Sequence, residues 1–443
     1  MIPAVPSFSS FAVLILGYLW QILRVWWWLP APFILWKPFV YLWKQWRVYR
    51  WIRTVYKPIL LEIKLPKESV KPVRAMEDVM NSIHSSVYHP PDWWETHIDG
   101  QIQTSIVFEI VSLGGDIHFY FRCHSGYRDA VEASIYAQYP EAEITLADDY
   151  TKAVPQDLPN DEWNMWATDY MTVKPDFYPI ATYKKFETER ETLEEKRIDP
   201  VASLLEGFAK VKPGEQFWIQ MSCKPMSQKP AEKWVEQAEE ERDKLARREI
   251  KTPIKTKSML LEAADILITG NVPGEEAPKE QPIIPPEMKL TPGERIVLSA
   301  IEEKISKPIF NVNIRFIFLG KRDVFNKGNF RLGFTFFGSY MTTNLNGLVP
   351  FGPTLSKIKK GRFLPINKLI PRRLYLRNRR MFRNYVSRLH PIFPRTAPPE
   401  VRFMLNTEEL ASLFHFPSWR TAPVPSVARV EAKRTAPPKL PTE

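Results

Sequence analysis

Cysteine is nearly absent: Cys123 and Cys223 are the only two in 443 residues. Two thiols far apart exclude a disulfide-dense secreted scaffold and read as reduced, buried side chains. Glycine is scarce too, 17 residues against 41 prolines. That excludes glycine linkers and collagen-type repeats, and makes the prolines the punctuation of the chain. Acid is missing from two long stretches. Residues 1–57 hold seven Lys/Arg and residues 324–399 hold fifteen, with no Asp or Glu in either. Against a total of +11, everything else therefore carries −11. Two cationic zones on an acidic body point to an anionic partner, either lipid headgroups or nucleic acid.

Phosphate-cradling loops are also missing. No G-x-x-x-x-G-K-[ST] or G-x-G-x-x-G occurs, and "LGKRD" at 319–323 fails because Arg315 and Arg322 stand where Gly and Ser/Thr are needed. His118 and His124 flank Cys123 in "HFYFRCH", but strand alternation puts the histidines on one face and the thiol on the other, so three metal ligands do not converge. "SLGGD" is no nucleophile elbow. Asp148 and Asp149 read as an exposed turn at a strand end. The chain reads as no enzyme, with no catalytic, cofactor-binding or metal residue and no cofactor.

What is present begins with tryptophan. Eight of the fifteen fall within the first 51 residues. Phe11 to Leu29 is broken only by Gln21 and Arg24 and is long enough to span ~30 Å of hydrocarbon. Pro30 and Pro32 then end the helix. A shorter apolar piece from Phe33 to Trp43 runs into "KQWRVYRWIRTVYK", cationic on one side and aromatic on the other, the pattern of a membrane-surface helix. Arg24, Trp26, Trp27, Trp28, Trp36, Trp43, Lys44, Trp46 and Arg47 are the expected membrane-interface residues. A secretory signal would need a basic start, which is missing. A core helix would not need the cations that follow it. One span and a shallow re-entrant hairpin both remain open. The positive-inside rule places the protein in the plasma membrane, N-terminus outside, with the bulk cytoplasmic.

Length suggests about three domain-sized units. Residues 58–150 read β-α-β-β-α-β: "ILLEIKLP" alternates, "MEDVMNSIHSSV" has helical spacing, Gly114-Gly115 joins two strands, and "EAEITLADD" alternates again. This is the ferredoxin-like arrangement. Residues 151–323 read as a second α+β domain carrying a helical hairpin at 228–270 and a Pro/Glu linker at 271–290. Residues 324–400 are the acid-free basic region. Residues 401–443 hold a short helix capped by Asn406 or Thr407, with Glu409 at the capping-box position, and a Pro-rich tail. The expected fold class is α+β: an N-terminal membrane helix, then ferredoxin-like βαββαβ domain(s) with a helical-hairpin insertion. Within the basic region, residues 357–390 hold twelve cations. Lys357, Lys359, Lys360, Arg372, Arg373, Arg377, Arg379, Arg380 and Arg383 are the candidate anion-binding residues.

The run "LLEIKLPKE…KPVRAMEDVMNSIHS…FEIVSLGGDIHFYFRCHSGYRDAVEASIYAQYPEAEI" resembles the membrane-proximal region of conjugation-type (type IV secretion) ATPases, TraG-like and HerA/FtsK-like, of candidate-phyla bacteria. "LNTEELASLFHFP" and the closing "APPKLP" resemble the segment that leads into the motor domain of such proteins. This sequence departs from them by ending where the motor would begin. The resemblance implies a non-catalytic, membrane-anchored scaffold or assembly partner of a translocation ATPase. Its expected partners are the lipid bilayer and a separate P-loop ATPase subunit, with self-association and nucleic acid as further ones. The alternative is a membrane-tethered nucleic-acid-binding protein acting through residues 357–390.

Overall fold

The computed structural model describes residues 17–18, 20–21, 24–26, 28–29, 31–66, 71–186, 199–226, 228–247, 290–360, 367–391, 398–417 and 429–430. The chain divides into two units, residues 1–57 with 89–103, and residues 58–88 with 104–443.

In the smaller unit the main element is helix α1, Ala31–Thr54, which runs through Pro38 without a break. Val48 and Trp51 are buried, while Phe33, Trp36, Phe39, Trp43 and Trp46 are exposed. Arg47 lies 3.9 Å from Asp99, and Trp93 stacks on His97 with centroids 4.9 Å apart. The membrane-helix expectation is overturned here. Among the described residues no helix is long and apolar enough to cross a membrane. The longest of them, α1 at 24 residues, is interrupted by Lys37, Lys44, Arg47, Arg50 and Arg53. Each such charge near the centre of a span costs ~2.5–3.5 kcal/mol. The transmembrane assignment, and the plasma-membrane location built on it, lose their support. Of Phe11 to Leu29, residues 11–16, 19, 22, 23 and 27 lie outside the described residues.

The larger unit is built on strands that the sequence marks by alternation and glycine turns. Strand β1 (Pro58–Pro66), helix α2 (Val73–Val87), β2 (Ile106–Leu113), β3 (Asp116–His124), α3 (Arg128–Gln138) and β4 (Glu143–Leu146) come first. Gly114 and Gly115 make the β2–β3 turn, both at positive φ (65° and 108°). That backbone costs glycine nothing and a side chain a good deal. Next come β5 (Trp163–Thr172), α4 (Tyr183–Phe186), α5 (Pro200–Ala209), β6 (Glu215–Pro225), α6 (Gln228–Leu245), α7 (Pro292–Ile305) and β7 (Ile309–Lys321). The last elements are α8 (Arg331–Ser339), β8 (Leu348–Pro350), α9 (Ile370–Ser387), β9 (Phe403–Asn406), α10 (Thr407–Leu413) and β10 (Arg429–Val430).

Strand order is β10-β1-β3-β2-β6-β7-β5-β8, with β4 also on β1 and β9 also on β7. Every pairing is antiparallel except the two-residue one between β1 and β10. The first four strands run β4-β1-β3-β2 across the sheet, and β5 to β8 repeat that order in mirror sense as β8-β5-β7-β6. The two halves meet where β2 pairs β6, from Ile106 opposite Cys223 to Leu113 opposite Gln216. A string of separate α+β domains is thus corrected to a mixed α/β unit on one antiparallel sheet. The physical reason is that β2 and β6 each satisfy their outer backbone groups on the other, so neither half keeps a free inner edge.

Both faces of this sheet are covered. On one, α2, α3, α5, α8 and α10 bury Phe108, Ile110, Phe217, Ile219, Ile314 and Phe316. On the other, α9 and the segment before β5 cover Val111, Tyr120, Trp218, Ile317 and Leu319. This is why β2 and β6 are buried along nearly their whole length instead of alternately. Asn406 is the N-cap of α10: its side chain accepts from Glu409 N at 2.8 Å, and Glu409 accepts from Asn406 N at 3.0 Å. Helix α6 packs along α7. The second helix of the expected 228–270 hairpin and the linker over 271–289 lie outside the described residues.

Candidate anion-binding surface

Helix α9 divides its residues by period. Asn378, Met381, Phe382 and Tyr385 are buried against the sheet. At 3.6 residues per turn Arg372, Arg373, Leu376, Arg380 and Arg383 fall together on the opposite side, and all five are exposed. No acidic residue occurs in the helix.

What holds α9 down is a polar row inside the core. Glu109 on β2 stands opposite Gln220 on β6, Gln220 opposite Arg315 on β7, and Arg315 opposite Asp169 on β5. All four are buried. Gln220 Nε2 donates to Glu109 Oε1 at 2.9 Å, Arg315 donates to Gln220 Oε1 at 3.2 Å, and Arg315 Nε to Asp169 Oδ1 at 3.2 Å. The helix end reaches into this row. Arg315 donates to the Asn384 carbonyl at 3.0 Å, and the Tyr385 hydroxyl meets that of Tyr150 at 2.9 Å. Arg388, the left-handed C-cap at φ 51°, donates to Glu109 and to Asp149, both at 2.7 Å. Burial opposes the charge on Arg388, but Glu109, Tyr150 and Asp149 together outweigh it and raise its pKa above the usual arginine value. Burial pushes the Asp169 carboxyl up and the Arg315 guanidinium down, since their mutual attraction does not fully replace water.

The structure sorts the sequence-derived candidates. Arg372, Arg373, Arg380 and Arg383 share the outer face of α9, and exposed Lys357, Lys359 and Lys360 lie on the loop that precedes it. Among the described residues none of these seven pairs with a carboxylate. Arg379 is half-buried and donates to Tyr375 Oη at 2.7 Å. Arg377 points back: it donates to the Leu355 carbonyl at 2.7 Å, and burial followed by nearby Arg373 lowers its pKa. It fastens the loop to the helix and faces no ligand. Of the expected membrane-interface residues, Arg24, Trp26, Trp28, Trp36, Trp43 and Trp46 are exposed, Lys44 and Arg47 are half-buried, and Trp27 lies outside the described residues.

Other groups weighed from sequence are occupied locally. His118 Nδ1 lies 2.6 Å from Glu62, and the His124 ring accepts from Gly126 N. Asp149 accepts from Thr151 N at 3.0 Å and pairs with Arg388. Among the described residues no three His, Cys, Asp or Glu are placed to hold a metal ion. Sequence reasoning missed the row Glu109, Gln220, Arg315, Asp169. Its signal was a long polar or charged side chain set among apolar neighbours in each strand: "IVFEIV", "WIQMS", "NIRFIF" and "ATDYM".

Residues 53–345 match the model of a family described as Domain of unknown function (DUF8128). No curated protein matches the chain. The type IV secretion and conjugation expectations are corrected accordingly, because the matched family is described without a function.

Proposed function

Because this chain belongs to the DUF8128 family, whose description assigns no activity, we propose a function from its own geometry: a non-catalytic docking protein that binds the phosphate backbone of nucleic acid through the outer face of α9. The observation that carries this reading is the outward row of Arg372, Arg373, Arg380 and Arg383, uncompensated by acid on a helix whose other side is locked into the sheet. From Arg372 to Arg383 the row is about 16 Å long, at 1.5 Å per residue. The helix fixes the spacing of the four guanidinium groups, so binding phosphate orders side chains but no backbone. Lys357, Lys359 and Lys360 extend the positive surface beyond the helix. Phosphate contacts of this kind carry affinity without base readout, so binding is expected to tolerate sequence.

The test is fluorescence anisotropy with a labelled duplex over a salt series. Affinity should fall linearly in log–log form, with about 0.9 of slope per phosphate neutralised. The quadruple charge reversal R372E/R373E/R380E/R383E should reduce the slope by roughly three to four and weaken binding uniformly across sequences. Absence of binding at about 50 mM salt, or an unchanged slope in the quadruple variant, sinks the reading.

A further inference from the structure

Phosphate contact leaves part of the α9 surface unused. Leu369 and Leu376, each 53% exposed, sit among the outward arginines. A phosphate backbone gives a leucine nothing, whereas a protein surface does. Elsewhere in the same unit α6 carries a complementary row. Glu232, Glu236 and Glu240 recur every fourth residue, are exposed, and form no ion pair among the described residues. They cover about 12 Å at 1.5 Å per residue, against about 16 Å for the arginines.

The two rows cannot meet within one copy. Helix α6 packs on α7, with the Lys304 ammonium 6.0 Å from the Trp234 ring. Lys304 in turn pairs with Glu409 of α10 at 2.9 Å, and α10 belongs to the face covered by α2, α3, α5 and α8. Helix α9 covers the opposite face. The sheet stands between them.

We propose that the outer face of α9 docks on α6 of a second copy of this chain. The contact is heterologous, so a pair of copies keeps one free α6 and one free α9, and association continues head to tail until a ring closes. Exposed ion pairs are individually weak and screened by salt, so the assembly is salt-labile. Polyanion and second copy use the same arginines and therefore compete. That competition rests on the nucleic-acid reading; the self-association does not.

The experiment is sedimentation velocity on the full chain over a concentration series. At about 50 mM salt the mean sedimentation coefficient should rise with concentration, and at about 500 mM it should not. The variants E232K/E236K/E240K and R372E/R373E/R380E/R383E should each stay monomeric at low salt. A chain carrying both sets should associate again, which separates a specific contact from a folding defect. Association through any other surface survives the single reversals, and that result overturns the proposal, as does a wild-type monomer at low salt. The α6 variant should bind duplex normally. Duplex binding without self-association rejects this inference alone, while self-association without duplex binding rejects the nucleic-acid reading alone.

Discussion

Arg388 shows how much one side chain can carry when it is buried. It is 1% exposed, caps α9, and holds Glu109, itself fully buried, together with Asp149. Removing one partner of such a pair strands the other in a medium that solvates it poorly, at a typical cost of 3–5 kcal/mol. Arg388→Met should therefore destabilise the protein by about 3–5 kcal/mol in urea unfolding. Adding Glu109→Gln should recover part of that loss, because the uncompensated charge is then gone while Gln220 and Tyr150 still face the site. A loss below about 1 kcal/mol in the single variant means that Arg388 is no clamp. Glu62 gives a pH signature. The hydrogen bond from His118 holds its carboxyl below the ordinary value of 4.5, although burial opposes this. A carboxyl depressed in the folded state stabilises above its unfolded pKa and loses that contribution as pH falls through the folded value. The stability gap between the wild type and His118→Phe should be full above pH 4.5 and close below it. A gap that persists unchanged into the acid range contradicts this origin.

At the scale of elements, the sequence was legible wherever a period of 2 or 3.6 meets a turn residue. The strand and helix positions between Pro58 and Leu146 follow from alternation, helical spacing and Gly114-Gly115. The α9 surface was legible as charge, twelve cations without an acid over residues 357–390, but not as one face of a helix. Arg377 was misjudged because charge alone does not say whether a loop lies within reach to receive the side chain. The core beneath α9 was not legible. Its contacts join residues as far apart as Glu109 and Arg388, and a buried glutamate reads like a surface one until its partners are known. At the N-terminus composition misled. Tryptophan beside cations fits a lipid boundary, yet among the described residues no helix is long and apolar enough to cross a membrane.

At the scale of the molecule, the decisive feature is the β2–β6 pairing, which turns two repeats of one strand order into a single sheet. Neither half keeps its own boundary there. Glu109 and Gln220 cross the seam, α9 lies over both sides of it, and Phe108 and Met221 face each other in register. A seam of backbone pairs and shared core should make the halves one cooperative unit. Native-state hydrogen exchange can measure this strand by strand. Amides of β2 and β6 should exchange only through global unfolding, with the same free energy as the central strand β7. The short outer strands β4 and β8 should open at lower cost, since β4 has four residues and β8 three. A proline at Ile219, where the partner is Ile110, removes a backbone donor from the seam and introduces a steric clash, at a cost of about 3 kcal/mol or more. If the halves are coupled, Ile219→Pro lowers protection equally in β1 and β5, far from the substitution on either side. If only the half containing β6 loses protection, the two repeats are separate folding units that merely touch.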